Sequence, residues 1–179
     1  MASRNIQRFV TLTCIILALI STQVSFAFGA EVVCDEKSGE CAAEKKRVVT
    51  QEELSSKTGE NGSPTWLSVL GEVYDVTPGS GHYGSGSSYS IFAGKDSTAS
   101  FVTGDFSEEG GKASLDDLPT NQLGGIESWR KFYANHAKYT FVGVLEGKFY
   151  DKDGNPTNEL LKFQERLSSA KKKRGETKR

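Results

Sequence analysis

The residues with the clearest capacity for chemistry lie in one short stretch, residues 82–96, with the sequence HYGSGSSYSIFAGKD. Two tyrosines, Tyr83 and Tyr89, are separated there by glycine and serine residues alone. Because residues with little side chain let the backbone approach a ligand closely, this spacing is typical of a pocket wall that presents two phenols to a flat ligand. In the alternative interpretation, Tyr89 and Phe92 stand three residues apart on a helical turn and are ordinary core aromatics.

The sequence supplies few of the ordinary axial ligands of heme iron. The chain has two histidines, His82 and His136, and one methionine, the initiator. A heme site needs an apolar slot and an axial donor atom, and tyrosinate is one donor that proteins use beside histidine, cysteine and methionine. Ligation by a His/His or His/Met pair is therefore disfavoured, tyrosinate is the favoured donor, and His82 is the second candidate ligand. His136 is predicted at a helix end, where it would interact with the helix dipole.

Composition limits the other functions of the chain. Its 179 residues, 36% of them apolar and 25% charged, fit one compact domain with extensions. A formal net charge of −1 gives no indication of nucleic-acid binding. The sequence shows no nucleophile with its base, no phosphate-binding loop and no metal-ligand cluster, so an independent enzyme is not expected.

The elements before the tyrosine loop are predicted from local patterns. Thr50 and Glu53 have the spacing of a capping box, which predicts a helix that starts there. Two β-rich runs, residues 65–70 and 73–76, flank Gly71 and predict a two-residue hairpin whose turn is Gly71-Glu72, of type II′. The segment TPGSG that follows ends the second strand and opens the loop.

The elements after the loop are predicted in the same way. Asp96 is expected to cap a short helix that ends at Gly104, and Thr120 to cap a longer helix with apolar residues at helical spacing. Those apolar residues are Leu123, Ile126, Trp129 and Phe132 or Tyr133. Residues 107–117 are expected to form a long polar loop, residues 140–145 a strand that residues 148–150 extend, and residues 158–173 a frayed helix.

Both ends of the chain are expected to lie outside the domain. Residues 1–30 combine basic Arg4 and Arg8, an apolar run and small-residue cleavage sites, as in a signal peptide, although a retained membrane anchor is the alternative. Either interpretation directs the chain to the secretory pathway. Residues 31–49 are expected to be a polar linker, in which Cys34 and Cys41 could pair in an oxidising compartment. Residues 157–179 form a basic C-terminal tail.

The stretches LSVLGEVYDVTPG and STASFVTGDFS, on either side of the loop, resemble the cytochrome b5-like heme-binding domain, in particular its membrane-associated progesterone receptor branch. The resemblance covers residues 50–156 and implies an α+β fold, a small mixed sheet with short helices that form a heme pocket. Ordinary cytochrome b5 has an HPGG ligand loop and a second ligand histidine. This chain has HYGS at the first place and no histidine in FVTGDFS at the second. Bis-histidine ligation is therefore not expected.

The resemblance also implies a role for individual residues. In the progesterone receptor branch the second tyrosine of a YGxxGxY-like stretch is the axial ligand of heme b, and Tyr89 stands at that place. Tyr83 matches the tyrosine that hydrogen-bonds the ligand. Lys138 and Tyr139 match a pair that serves a heme propionate and a second hydrogen bond. Serines replace the proline and glutamate residues that this branch often has in the loop, which puts the heme affinity in question more than the ligand.

The resemblance implies a non-catalytic heme-binding protein of the secretory or endomembrane system. It would be secreted or reside in the lumen of the endoplasmic reticulum, or associate with the membrane. It would act as a signalling factor or as an accessory to a cytochrome P450 or a membrane receptor. Two alternatives are a b5-type electron-transfer protein and a heme-free interaction domain that binds a steroid or another apolar ligand in the same slot.

Overall fold

The computed structural model describes residues 32–34, 41–43, 46–107, 110 and 113–177. The predicted signal peptide or anchor, residues 1–30, lies outside this range. The chain divides into two units, Met1–Glu44 and Lys45–Arg179. Among the described residues, no helix is both long enough and apolar enough to cross a membrane.

The described part of the first unit is a pair of short antiparallel strands. Strand β1 (Val32–Cys34) pairs with strand β2 (Cys41–Ala43), and the backbone register places Cys34 directly opposite Cys41. The predicted polar linker therefore contains secondary structure that its charged, aperiodic sequence did not indicate.

The second unit contains a four-stranded mixed sheet. Its strands are β3 (Val48–Val49), β4 (Trp66–Val69), β5 (Glu72–Asp75) and β6 (Thr140–Leu145), in the spatial order β3-β6-β5-β4. Strand β3 pairs with β6 in parallel, and the other pairs are antiparallel. Because Val49 is fully buried in this sheet, the linker prediction is wrong for the two residues of β3.

Five α-helices with described bounds accompany the sheet. They are α1 (Gln51–Ser55), α2 (Ser80–Tyr83), α3 (Ser100–Thr103), α4 (Thr120–Asn135) and α5 (Asn158–Thr177). Short 3-10 turns occur at Glu60–Gly62, Thr77–Gly79, Ser90–Phe92 and Leu115–Asp117. The predicted α+β architecture, a small mixed sheet with short helices, is confirmed.

Both faces of the sheet are covered by apolar side chains. Neighbouring residues of a strand point to opposite faces, so they contribute to different clusters. Val144 and Tyr74 belong to the larger core cluster, together with side chains from α4 and α5. Their neighbours Leu145 and Val73 belong to a smaller cluster that includes Leu54 of α1. The larger cluster also contains Tyr83 and Tyr133, which belong to the candidate site described below.

The hairpin of β4 and β5 forms as predicted, but its turn differs. The two turn residues are Leu70 and Gly71, with φ values of 53° and 73°, and the second strand already begins at Glu72. Two successive positive φ angles define a type I′ turn, so the predicted Gly71-Glu72 turn of type II′ is wrong. Leu70 adopts a left-handed conformation that leucine rarely takes, and its side chain is fully buried there.

The predicted helix caps form in part. The Thr50 hydroxyl accepts the Glu53 N–H at 3.1 Å, whereas the Glu53 carboxylate pairs with Arg47 instead of completing the capping box. The Asp96 carboxylate accepts the Thr98 N–H at 3.1 Å in a turn before α3, whose N-cap is Ala99. The predicted cap at Asp96 is therefore wrong.

Of the predicted end of α3 and the predicted start of α4, only the first is confirmed. Gly104 ends α3 as predicted, with a φ of 72°. Thr120 is the first residue of α4, and the N-cap is Pro119, so the predicted cap at Thr120 is wrong.

The C-terminal segment is an integral part of the fold. Helix α5 buries Leu160, Phe163 and Leu167 in the larger core cluster. The Arg166 guanidinium donates to the carbonyls of Leu115 and Leu118 at 2.6 and 2.8 Å. The helix predicted for residues 158–173 therefore forms, and only the prediction that it is frayed is wrong.

The predicted extension of strand β6 does not form. Phe149 and Tyr150 are buried in the larger cluster, and Tyr150 makes isolated bridges with Glu146 and Pro156. A tight turn therefore follows β6.

A buried ionic network fixes α4 to the sheet. Arg130 of α4 pairs with Glu72 of β5 at 3.2 Å and with Glu127 at 2.9 Å, and the Tyr74 hydroxyl donates to Glu72 at 2.6 Å. Both carboxylates are nearly excluded from solvent. Because a buried charge without a partner is costly, their pairing with Arg130 is necessary. The network holds α4 in the orientation that presents Trp129 and Tyr133.

Candidate functional site

The tyrosine loop is compact because its own backbone closes it. Tyr83 ends α2, and Tyr89 immediately precedes the turn Ser90–Phe92. The Tyr89 N–H donates to the His82 carbonyl at 3.0 Å, which brings the two ends of the loop together. Gly86 has a φ of 80°, a conformation that favours glycine. The small residues between the tyrosines thus place the two rings 6.1 Å apart, centroid to centroid.

Four tyrosines from different parts of the chain meet at this loop. The hydroxyl oxygens of Tyr83 and Tyr133 lie 2.9 Å apart, within hydrogen-bonding distance. The ring of Tyr139 meets Tyr83 edge-on at 6.0 Å and lies 5.9 Å from Tyr133. Tyr83 and Tyr133 are buried, whereas Tyr89 is 47% exposed. The cluster therefore combines a half-exposed phenol, Tyr89, with the buried phenols of Tyr83 and Tyr133 and the partly buried phenol of Tyr139.

Burial changes the acidity of the inner phenols. Burial is the largest cause that raises the pKa of Tyr83, to about 12. The hydrogen bond from Tyr133 opposes this rise, and the nearby Tyr139 and Tyr89 phenols add to it. The pKa of Tyr133 is also raised, by burial first and then by its hydrogen bond with Tyr83. Both side chains therefore remain protonated at neutral pH. One of the two hydrogens serves the contact between them, and the other can be donated to an anionic neighbour.

An open slot of about 160 Å³ lies in front of the cluster. Aromatic rings form most of its walls, together with two small residues. The lining residues are Tyr83, Tyr89, Phe92, Ser100, Phe101, Gly104, Phe106, Trp129 and Tyr133. Pockets that enclose drug-sized ligands measure roughly 300–1,000 Å³. A flat ligand would therefore lie against this slot with one face or edge covered and the rest open to solvent.

The residues of the slot fit the heme that the sequence resemblance implies. Its lining is mainly aromatic, and Tyr89, a half-exposed lining residue, carries a phenol oxygen of the kind that can coordinate heme iron. The lining includes no imidazole, thiol or thioether. The nearest histidine ring to Tyr89, that of His82, lies 6.5 Å away and is exposed. Among the described residues, no group of three or more histidine, cysteine, aspartate and glutamate side chains could hold a metal ion.

The structure brings three of the four predicted site residues together. Tyr83, Tyr89 and Tyr139 belong to the tyrosine cluster, while the Lys138 side chain is exposed beside Tyr139 in the sequence. The hydroxyl partner of Tyr83 in this structure is Tyr133. Within the described part of the chain, the Tyr89 hydroxyl has no hydrogen-bond partner, so the predicted bond from Tyr83 to Tyr89 stays a prediction.

Both histidines have surroundings that the sequence did not indicate. His82 lies beside the tyrosine loop, with its ring centroid 6.4 Å from Tyr83. His136 occupies the C-cap position of α4, as its predicted location at a helix end requires. Its ring stacks on Tyr139, with centroids 3.8 Å apart. The predicted interaction of His136 with the helix dipole stays a prediction.

Sequence reasoning missed the contribution of Tyr133 and of the slot walls. Helical spacing identified Trp129 and Tyr133 as part of an apolar stripe, but periodicity does not separate a ring that faces a slot from one that faces the core. Trp129 is 37% exposed and stacks on Phe101 at 5.1 Å, so it covers one side of the slot. The available signal was the hydroxyl of Tyr133 in an otherwise apolar stripe, because a buried phenol needs a polar partner.

Three larger clefts lie outside the tyrosine cluster in the described part of the chain. One, of about 560 Å³, shares Phe92, Ser100 and Phe106 with the slot but is otherwise lined mainly by polar side chains such as Lys95 and Lys148. The second, of about 500 Å³, lies between α4 and α5, and the third, of about 450 Å³, lies along α5 beside Thr120. None of the three is lined by a phenol, so the smaller slot is the candidate site for the tyrosine chemistry.

Comparison with known proteins agrees with this geometry. A protein-family profile described as "Cytochrome b5-like Heme/Steroid binding domain" matches residues 50–151. Neuferricin of Xenopus tropicalis is 43% identical over 122 residues, which are 68% of this chain and 44% of that protein. Membrane-associated progesterone-binding protein 4 of Arabidopsis thaliana is 44% identical over 117 residues, 65% of this chain and 47% of that protein. The chain thus spans less than half the length of these curated relatives.

Solved structures show the same architecture. A hypothetical protein of Arabidopsis thaliana, described as having a cytochrome b5 like fold, superposes with a TM-score of 0.50 at 32% identity. The match covers 61% of this chain and 99% of that one. The curated relatives, neuferricin and the membrane-associated progesterone-binding protein, confirm the resemblance to the progesterone receptor branch that the sequence indicated.

Proposed function

This chain belongs to the cytochrome b5-like heme/steroid-binding domain family, and from that premise we propose that it is a non-catalytic heme-binding protein in which Tyr89 supplies the axial ligand. The family membership makes heme the expected ligand. The position of Tyr89 carries the choice of donor, because its phenol is half-exposed and lines an aromatic slot whose other two phenols, those of Tyr83 and Tyr133, are buried.

Each residue of the site has a distinct part in this proposal. When bound, the heme supplies a ferric iron, a hard cation that deprotonates the phenol that coordinates it. Tyr89 presents its oxygen at the slot, and Tyr83, which keeps its proton because burial raises its pKa to about 12, is the available hydrogen-bond donor behind it. Trp129, Phe101 and Phe106 contribute the apolar walls. The exposed ammonium group of Lys138 is suited to a propionate.

The donor set determines the expected iron state. The slot lining contains one half-exposed phenol and no imidazole, so five-coordinate, high-spin ferric heme b is the expected form. An anionic oxygen ligand favours Fe(III), and reduction should therefore weaken binding. These properties suit a binding and sensing role better than rapid electron transfer.

The cellular setting is part of the proposal as well. The N-terminal sequence pattern supports entry into the secretory pathway, with the protein secreted or held in the endoplasmic reticulum or another endomembrane compartment. A cytochrome P450 or a membrane receptor is the proposed kind of partner. The names of its relatives include a membrane-associated progesterone-binding protein, which supports membrane association.

A second candidate is a heme-free domain that binds a steroid or another apolar ligand. The observation that favours it is the slot itself, whose walls are aromatic and whose polar groups are few. The family description names steroids beside heme. A b5-type electron-transfer role is disfavoured, because no histidine lines the slot.

A hemin titration of the purified protein, followed by its visible absorption spectrum, tests the proposal. We expect a high-spin ferric spectrum with the wild type and its loss in Tyr89→Phe. Tyr150→Phe is the matched control, since Tyr150 is a buried tyrosine outside the slot, and His82→Ala tests the second candidate ligand. An unchanged Soret band in Tyr89→Phe would refute tyrosinate ligation. A low-spin, reversibly reducible spectrum would indicate the electron-transfer alternative, and binding of a fluorescent steroid without hemin binding the heme-free one.

A further inference from the structure

We propose that His136 is a positioning residue of the tyrosine cluster, and that its ring holds the Tyr139 phenol in place behind Tyr83. This inference rests on the proposed function, because its consequence is the environment of a ligand phenolate at Tyr89. His136 does not touch the slot and acts through Tyr139.

The ring contacts of His136 form a clamp. The imidazole stacks on Tyr139 with a centroid distance of 3.8 Å and an interplanar angle of 16°, the shortest and most nearly parallel ring contact of the site. Phe132 meets the imidazole at 5.2 Å and 57°. The imidazole therefore contacts an aromatic ring of α4 as well as the phenol that it orients.

The orientation of the imidazole is itself fixed. The Lys138 backbone N–H donates to His136 Nδ1 at 3.3 Å, so Nδ1 is the acceptor and the ring hydrogen is on Nε2. The Tyr139 N–H donates to the His136 carbonyl at 3.2 Å, which closes the turn between α4 and β6. The first bond orients the ring, and the second fixes the backbone that carries it.

Tyr139 is in turn pressed against the loop that leads to the site. A methyl group on Gly79 would lie 2.8 Å from the Tyr139 hydroxyl and 3.1 Å from Cδ2 of Tyr83, so both phenols pack directly over this glycine. Tyr83 and Tyr139 meet edge-on at 6.0 Å. A change in the Tyr139 side-chain angle would therefore be transmitted to Tyr83, and from Tyr83 to Tyr89 at 6.1 Å.

Three substitutions separate the stack from the hydrogen bond. His136→Phe keeps a ring for stacking and lacks the acceptor. His136→Asn keeps an acceptor and lacks the ring. His136→Ala lacks both. Support for ligand orientation from outside the first layer of contacts typically changes metal affinity by roughly tenfold or more. We therefore expect hemin affinity to fall about tenfold in the Ala and Asn variants. In the Phe variant we expect near wild-type affinity and an unchanged visible spectrum.

A second measurement on the heme-free protein keeps the inference independent of hemin binding. The NMR signals of the Tyr139 and Tyr83 ring protons should move in His136→Ala and His136→Asn and return towards wild-type positions in His136→Phe. If the wild type does not bind hemin, the proposed function fails, and these ring signals still decide whether His136 positions the phenols.

Three results would overturn the inference. Unchanged ring signals in His136→Ala would show that the stack does not orient Tyr139. Recovery by Asn and not by Phe would assign the effect to the hydrogen bond with Lys138. A loss of thermal stability in His136→Ala, with hemin affinity and spectrum unchanged in the folded protein, would reduce His136 to a structural residue of the turn.

Discussion

The hydroxyl oxygens of Tyr83 and Tyr133 lie 2.9 Å apart, although 50 positions separate the two residues in the sequence. This contact ties the end of the tyrosine loop to the longest helix near the slot. A phenol has one hydrogen to donate and lone pairs to accept with. When Tyr133 donates to Tyr83, which is the direction that lowers the pKa of Tyr83, Tyr83 retains its own hydrogen for a phenolate at Tyr89.

Tyr133→Phe should remove that support with little change in shape. Loss of a hydrogen bond that leaves a buried polar group unpaired costs about 1–3 kcal/mol. We expect a loss of unfolding free energy in this range for the heme-free protein, measured by urea denaturation. Tyr83→Phe and the double variant complete a mutant cycle. Because the two hydroxyls are partners, the double variant should be clearly less destabilised than the sum of the single ones. Strict additivity would contradict the contact.

The tyrosine loop was predictable from sequence because its information is local. Gly and Ser between Tyr83 and Tyr89 restrict what the backbone can do, and the spacing alone indicated a ligand-facing wall. The Thr50 cap and strand β6 were predictable for the same reason. Each depends on residues that are neighbours in the chain.

The parts that could not be predicted depend on distant contacts. Leu70 takes a positive φ because its buried side chain and the Thr98 hydroxyl, which accepts its N–H at 2.8 Å, hold it there. Nothing in the residue type indicates this conformation. The partner of Tyr83 lies on another helix, and helical spacing in α4 does not reveal which ring meets which. The later turns of helix α5 are rich in charged residues, so the sequence pattern did not indicate the apolar face formed by Leu160, Phe163 and Leu167.

Alkaline pH should destabilise the protein in a defined range. The folded-state pKa of Tyr83 is about 12, above the ordinary value of 10.0 that the unfolded chain shows. Below pH 10 both states are protonated and the contribution is fully present. Between about pH 10 and 12 the unfolded state loses its proton first, so stability falls as pH rises.

Urea midpoints at pH 8 and pH 11 check this expectation. The pKa values of Tyr74, Tyr133 and Tyr150 are raised by burial as well, so the wild type should lose stability over this interval. Tyr83→Phe should lose less, since one titrating group is gone. Equal losses in the two proteins would show that Tyr83 does not titrate with the fold.

Leu160 and Leu161 test whether α5 belongs to the domain. Leu160 is 1% exposed and Leu161 is 50% exposed, although they are adjacent in the chain. Leu160→Ala should cost about 2–5 kcal/mol of unfolding free energy, as truncation of a buried leucine usually does. Leu161→Ala is the matched control and should change stability by less than about 0.5 kcal/mol. Similar effects of the two substitutions, measured by urea denaturation, would mean that α5 does not pack as described.

Gly79→Ala should disturb the phenols behind the slot. Gly79 has a φ of −94°, which alanine adopts readily, so the expected damage comes from contact alone. Its added methyl group would lie 2.8 Å from the Tyr139 hydroxyl, and overpacking of this kind costs about 1–3 kcal/mol. In the double variant Gly79→Ala/Tyr139→Phe the crowded oxygen is absent, and part of the stability should return. Gly124→Ala is the control, because nothing lies within 4 Å of its added methyl group and the helix interior should gain up to about 1 kcal/mol. If Gly79→Ala were as well tolerated as Gly124→Ala in urea denaturation and hemin titration, Tyr139 would not be pressed against the loop.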